Sequence, residues 1–130
     1  PLSKIASGGE LSRAMLALRL VLSVDPATAI FDEVDAGIGG EVALSVGKAL
    51  KDLSSDRQVL VVTHLAQVAA SADPHIGVTK SETNEGVDVE VVTLDDTQRV
   101  TEISRMLSGS PDSKNAQKHA VELIAASRSQ

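Results

Sequence analysis

The chain has 130 residues and a formal net charge of −6; 42% of its residues are hydrophobic and 23% are charged. This length suits one domain. Phe31 is its one aromatic residue and cysteine is absent, which excludes aromatic stacking platforms for single-stranded nucleic acid, disulfides and thiolate metal sites. The acidic balance also disfavours extensive binding of phosphate backbones. No stretch is apolar for long enough to span a bilayer, and no secretory signal is recognised. Since the lack of cysteine also fits a reducing compartment, we expect a cytoplasmic protein.

The first half of the chain alternates helical and strand patterns. Residues 1–9 are predicted to form a loop, followed from Glu10 by an amphipathic helix that ends before Asp25-Pro26. The short apolar run 27–31 predicts a strand buried on both faces. After a glycine-rich loop, a helix is predicted with one apolar face that comprises Val42, Val46, Ala49, Leu50 and Leu53.

A second buried strand is predicted over 59–62, and a short helix over 65–72. Residues 76–80 and 87–92 then predict a hairpin around a turn at 84–86, with one face more polar than the other. Two parallel strands, each next to a helix, indicate an α/β fold.

Two helices are predicted to end the chain. Asp95-Asp96-Thr97 offers an N-cap for the first, and Gly109 suits its C-terminal end. Ser110-Pro111 is typical of the start of the second. The predicted inward residues are Val100, Ile103 and Leu107 of the first helix and Ala116, Ala120, Leu123 and Ile124 of the second.

Three short segments contain residues suited to chemistry. Ser7-Gly8-Gly9-Glu10 precedes a helix, where backbone N–H groups and the helix dipole favour an anion. A serine-capped loop explains these four residues equally well.

Asp32 and Glu33 follow the first strand, at the edge where α/β folds bind ligands. Because successive strand residues point to opposite sides, the two acids should differ in role. In P-loop ATPases an Asp at such a position serves Mg²⁺, and a following Glu can polarise the attacking water.

His64 follows the second strand and would lie at the same edge, where an imidazole could contact a γ-phosphate or a water. Taken singly, two solvated acids and one structural histidine are ordinary features of a surface. However, the glycine pair, the two acids and the histidine follow one another in this order over fewer than 60 residues. This order favours a nucleotide site.

The sequences of these segments resemble the second half of an ABC-type ATPase head, and specifically that of the bacterial RecN family of SMC-like DNA repair ATPases. The matching segments read SKIASGGELSR from Ser3, FDEVDAGIGG from Phe31, VTHLAQVA from Val62 and ISRMLSG from Ile103. They cover nearly the whole chain. Glu10 stands where many members of the family have Gln, and Ala6 where many have Leu.

The resemblance implies a role for each matching position. Ser7, Gly8, Gly9 and Glu10 would belong to the signature motif, which contacts the γ-phosphate of ATP held by the opposite head of a homodimer. Asp32 would serve Mg²⁺, directly or through water, and Glu33 would be the general base. Asp35 would lie in the D-loop at the dimer interface. His64 would be the switch histidine.

No G-x-x-x-x-G-K-[ST] phosphate-binding loop occurs in the sequence. In the family, that Walker A loop lies in an N-terminal half, separated by a long coiled coil. We therefore expect residues 1–130 to be the C-terminal half of a split head, inactive alone. The N-terminal half, a second head and, in the full protein, DNA would be its partners, and the bacterial nucleoid its location.

Two alternatives remain open from the residues. The chain could belong to another SMC-like head, of condensin or Rad50 type, although residues 34–40 and 65–69 favour RecN. It could also be a module in which ATP only clamps two heads together without significant hydrolysis. Glu33 and His64 argue against that alternative, because degenerate sites usually lose the general base.

Overall fold

The computed structural model describes residues 27–32, 37–84 and 86–128. The predicted loop over 1–9 and the helix predicted from Glu10 lie outside these residues. Within the described ranges the order of elements is β1 (Thr28–Asp32), α1 (Gly40–Leu53), β2 (Gln58–Val62), α2 (Ala66–Ala69), β3 (Ile76–Thr83), β4 (Gly86–Thr93), α3 (Asp96–Ser108) and α4 (Lys114–Arg128). This is the predicted order, and the α/β assignment is confirmed.

Strands β1 and β2 pair in parallel, with Thr28 opposite Gln58 and Asp32 opposite Val62. One face of this pair packs against α1 in a core that contains Phe31, Ala43, Val46, Leu50 and Val68, supported by Ala29, Val59 and Val61. Alternation along the strands explains why these strand residues share a face.

The prediction that the parallel strands are buried on both faces is wrong for the described part of the chain. The other face presents Ile30, Leu60 and Val62, whose exposed fractions are 68%, 42% and 60%. The physical reason is that α1 covers one side only, and no described element packs on the other.

The hairpin β3–β4 pairs antiparallel from Ile76 opposite Thr93 to Thr83 opposite Gly86, as predicted. Its polarity divides by face, but the apolar face is not buried against described residues. The exposed hydrophobic residues on that face are Ile76, Val78, Val87, Val89 and Val91. Alternation of polar and apolar residues predicts which side chains share a face of the hairpin. Burial of that face also requires another element to pack on it, which alternation does not predict.

Helices α3 and α4 pack on each other and on α2. Their core contains Ala66, Ala69, Ala70, Ile103, Ala120 and Ile124, with Val100, Leu107 and Leu123 partly buried beside it. The prediction of inward-facing residues is thus largely confirmed for both helices. None of the helices in the described ranges is long and apolar enough to cross a membrane.

The predicted ends of α3 are confirmed. The Asp95 side chain accepts from the Gln98 N–H at 2.8 Å, and the Gln98 Oε1 accepts from the Asp95 N–H at 3.0 Å, which is a capping box. Gly109 adopts φ +74° and its N–H donates to the Arg105 carbonyl. Glycine tolerates this left-handed conformation without strain.

The predicted start of α4 is wrong by three residues. The helix begins at Lys114, and the Ser113 Oγ accepts from the Ala116 N–H at 3.4 Å. The Pro111 carbonyl is instead engaged by Gln117, whose side-chain amide donates to it at 2.9 Å. Ser110-Pro111 therefore belongs to the turn that joins α3 to α4, and Ser113 supplies the serine at the helix start.

Candidate functional site

The parallel register brings two of the predicted site residues to one edge of the sheet. Asp32 is the last residue of β1 and lies opposite Val62, the last residue of β2. His64 follows Val62 by two residues. Because the carboxyl ends of parallel strands share an edge, Asp32 and His64 are both presented where α/β folds bind ligands. Both residues are exposed.

The Asp32 carboxylate lies on the open face of the parallel pair. Phe31, its neighbour in β1, is only 4% exposed and packs against α1, so alternation directs Asp32 to the face of Ile30. The buried phenyl ring anchors the strand end that presents the carboxylate. A ligand approaching from the open face would meet Asp32 without displacing the core.

The loop after β2 is closed by a local hydrogen bond beside His64. The Thr63 Oγ1 accepts from the Leu65 N–H at 3.0 Å, a side-chain-to-backbone turn that spans His64. Leu65 is then the N-cap of α2, the single helical turn Ala66–Ala69. The predicted helix over 65–72 is therefore shorter than expected, and His64 lies immediately before its N-cap.

Residues 37–39 connect the acidic segment to α1, which begins at Gly40. Gly37 and Gly40 have φ values of +75° and +56°, and Gly39 is the extended N-cap of α1. This confirms the predicted glycine loop. The positive φ values explain why glycine occupies two of its positions.

The remaining predicted site residues lie outside the described ranges. They are Ser7, Gly8, Gly9, Glu10, Glu33 and Asp35. In the described part of the chain no three His, Cys, Asp or Glu side chains cluster as metal ligands would. Asp32, the predicted metal ligand, lies within the described residues. The roles of Asp32, His64 and the six residues outside the described ranges remain predictions.

Arg99, buried against the C-terminal end of α2, was missed by the sequence analysis. It is 4% exposed, and its Nη2 donates to the Ala70 carbonyl at 2.7 Å and to the Ala72 carbonyl. Both carbonyls follow α2. Arg99 lies four residues before Ile103 and therefore on the apolar face of α3. A charged residue on that face was the sequence signal that could have identified it.

Burial and neighbouring charges shift the pKa values of His75 and Glu102. Desolvation first, and then the positive charge of Arg99, lowers the pKa of His75, whereas the carboxylate of Glu102 opposes that shift. The hydrogen bond from Arg105 is the main cause that lowers the pKa of Glu102. His75 is thus kept neutral more readily than an ordinary surface histidine.

Comparison with known proteins supports the fold and the resemblance to RecN. The chain is 50% identical over 128 residues to the DNA repair protein RecN of Treponema pallidum, which covers 97% of the chain. It is 52% identical over 125 residues to RecN of Deinococcus radiodurans and 49% identical over 130 residues to RecN of Mycobacterium leprae. The chain spans about 22% of the length of each of these relatives. No protein-family model matches the chain.

A solved structure from work on the ATP-driven dimerization and DNA-stimulated activation of SMC ATPases has the same fold. It superposes with a TM-score of 0.68 at 24% identity, covering 81% of the chain and 64% of that structure. The similarity confirms the predicted head-like α/β fold, and the RecN relatives favour that family over condensin- and Rad50-type heads. Over nearly all of its length, the chain is similar to a C-terminal part of the bacterial DNA repair protein RecN.

Proposed function

We propose that this chain is the C-terminal part of a split ATPase head that binds and hydrolyses ATP between two heads during repair of DNA double-strand breaks. The observation that carries the proposal is the position of Asp32 and His64 at one carboxyl edge of the parallel pair, in a fold similar to SMC ATPases. The identity of about 50% to RecN proteins supports the link to DNA repair. Location on the bacterial nucleoid is part of the same proposal.

The residues at this edge fit Mg²⁺ with a nucleotide. Magnesium in ATPases is usually held by one or two carboxylates together with phosphate oxygens and waters, so the single exposed carboxylate of Asp32 suits it. When bound, the ion would neutralise charge on the phosphates. Glu33, one residue further, is proposed to take the proton of the attacking water, and His64 to contact the γ-phosphate or that water.

The other roles act across the interface of two heads. The backbone N–H groups of the glycine pair Gly8-Gly9, with Ser7 and Glu10, are proposed to contact the γ-phosphate of ATP on the opposite head. Asp35 is proposed to cross the same interface.

The phosphate-binding loop must come from another part of the protein, because no such motif occurs in this sequence. Open apolar surface supports a packing partner for this chain. Ile30, Leu60 and Val62 are exposed on the parallel pair, as are five aliphatic residues on one face of the hairpin. Contiguous apolar surface of this kind marks an interaction site.

The split-site proposal is tested by adding back the missing half. The chain is purified alone and together with an N-terminal fragment that carries the phosphate-binding loop, and ATP affinity and hydrolysis are measured. We expect no hydrolysis by the chain alone and measurable turnover by the pair. Micromolar ATP affinity of the chain alone would contradict the proposal.

Within the full protein, Asp32→Asn and His64→Ala test the edge itself. We expect Asp32→Asn to weaken Mg-ATP binding and turnover together, and His64→Ala to lower turnover by about 10²-fold with binding retained. Asp88→Asn on the exposed hairpin and His119→Ala on the exposed face of α4 are matched controls. Equal effects of a site variant and its control would refute the assignment.

A further inference from the structure

His64 lies two residues before the first residue of α2, a helix that is too short to be stable by itself. Helix α2 is four residues long, and one isolated helical turn is unstable in water. Its place must therefore be set by contacts with other elements. Whatever holds α2 also sets where the loop Thr63–Leu65 presents the imidazole.

Three longer helices hold the C-terminal end of α2. Gly47 of α1 allows a close approach, since a Cβ built there would lie 2.6 Å from the Ser71 Oγ. Arg99 of α3 donates to the carbonyls of Ala70 and Ala72. Ser127 of α4 donates to the Ala70 carbonyl as well, at 2.7 Å.

Arg99 makes the most demanding of these contacts. A buried guanidinium must be hydrogen-bonded, because desolvating an unpaired charge is costly. Its Nη2 meets this demand with two carbonyls that lie 29 and 27 residues earlier in the chain, while its Nε has no hydrogen-bond partner among the described residues. The carbonyls after α2 are thus the hydrogen-bond acceptors that the structure shows for this buried cation.

We propose that Arg99 is a positioning residue for His64, because it ties the end of α2 to α3 and thereby holds the imidazole at the carboxyl edge of the parallel strands. This inference rests on the proposed function, in which His64 acts at the nucleotide. It also makes the packing of the C-terminal helices a condition for turnover, although neither helix contributes a residue to the edge.

The test uses the full protein that contains this chain. Arg99→Met keeps an unbranched side chain with much of the volume but removes the donors, whereas Arg99→Lys keeps a donor. Arg105→Met is the matched control on the same helix, because Arg105 is exposed and pairs with Glu102 rather than with α2. ATP hydrolysis is measured with separate kcat and KM.

We expect Arg99→Met to lower kcat about tenfold and to change KM for ATP less than twofold, since misplacing a catalytic group chiefly affects the chemical step. Arg99→Lys should recover part of the loss. In combination with His64→Ala, Arg99→Met should add no further loss. Additive losses in the double variant would show that Arg99 supports the fold generally, which would overturn the proposal.

A second measurement separates this inference from the proposed function. A nitroxide is attached at His64→Cys in a background without other cysteines, and its mobility is read by electron paramagnetic resonance without nucleotide. We expect greater mobility with Arg99→Met and unchanged mobility with Arg105→Met. Unchanged mobility with Arg99→Met overturns the positioning role whatever the ATPase assay shows.

If His64→Ala leaves turnover unchanged, the proposed function of this edge fails, and the nitroxide mobility still decides whether Arg99 positions residue 64. If Arg99→Met does not fold, Ser127→Ala removes the other donor to the Ala70 carbonyl in a milder way. That variant should raise the mobility at residue 64 to a smaller extent, and unchanged mobility would overturn the proposal.

Discussion

Replacing Gly47 by alanine sets helix propensity against packing, and the structure decides which effect is larger. Gly47 lies in the interior of α1, where alanine is ordinarily more stable than glycine by about 1 kcal/mol. A Cβ at this position would lie 2.6 Å from the Ser71 Oγ, 3.3 Å from the Ser71 Cβ and 3.2 Å from the Gln67 carbonyl oxygen.

The Ser71 hydroxyl can rotate away, but its Cβ and the Gln67 backbone oxygen cannot. Overpacking of this kind costs about 1–3 kcal/mol. We therefore expect Gly47→Ala to lower the free energy of opening of α1 and α2 by about 1 kcal/mol net of the gain in propensity.

Hydrogen exchange of the backbone amides, read by mass spectrometry on peptides from α1 and α2 in the full protein, measures this local stability. A loss of about 1 kcal/mol corresponds to about fivefold faster exchange. The control compares the variants Ser45→Ala and Ser45→Gly, because Ser45 is an exposed position in the same helix. If Gly47→Ala slows exchange as much as alanine does relative to glycine at position 45, the packing argument is wrong.

Three further predictions concern the proposed site and its surroundings. In the full protein, Ser7→Arg should abolish ATP-dependent dimerisation seen by size-exclusion chromatography while each monomer still binds ATP. Glu33→Gln should retain ATP binding and accumulate ATP-bound dimers, with single-turnover hydrolysis slowed by about 10²- to 10⁴-fold. Because the pKa of His75 is lowered by burial and by Arg99, the folded state binds fewer protons than the unfolded state. Stability around α2 and α3 should therefore be complete above the ordinary histidine pKa of about 6.5 and decrease as the pH falls below it, which hydrogen exchange corrected for intrinsic rates would show.

Each of these predictions has its own contradicting result. Loss of ATP binding by Ser7→Arg monomers would indicate a role within one head. Unchanged turnover in Glu33→Gln would mean that another group activates the water, with His64 the first candidate. His75→Gln should remove the pH dependence of exchange, and its persistence would point to a different titrating group.

Sequence periodicity and capping chemistry determined most of the local structure. Asp95 and Gly109 mark the two ends of α3 as predicted, because capping residues satisfy backbone groups only a few residues away. The apolar run 59–62, rich in valine, and the alternation after Gly86 identified strands for the same local reason. Asp32 and His64 could also be assigned to one edge, since parallel pairing of two consecutive strands leaves their carboxyl ends together.

Burial and long-range contacts were decided only by the tertiary structure. Ile30 and Val62 are as apolar as the core residues beside them, yet they remain exposed, because burial depends on whether another layer covers that face. The acceptors of Arg99 lie nearly 30 residues away, so no local pattern could pair them with the guanidinium. The close approach at Gly47 likewise depends on where α2 lies in space. Hydrogen bonds within a turn are encoded by neighbouring residues, whereas the positions of α2 and of the loop before it result from packing among three helices distant in sequence.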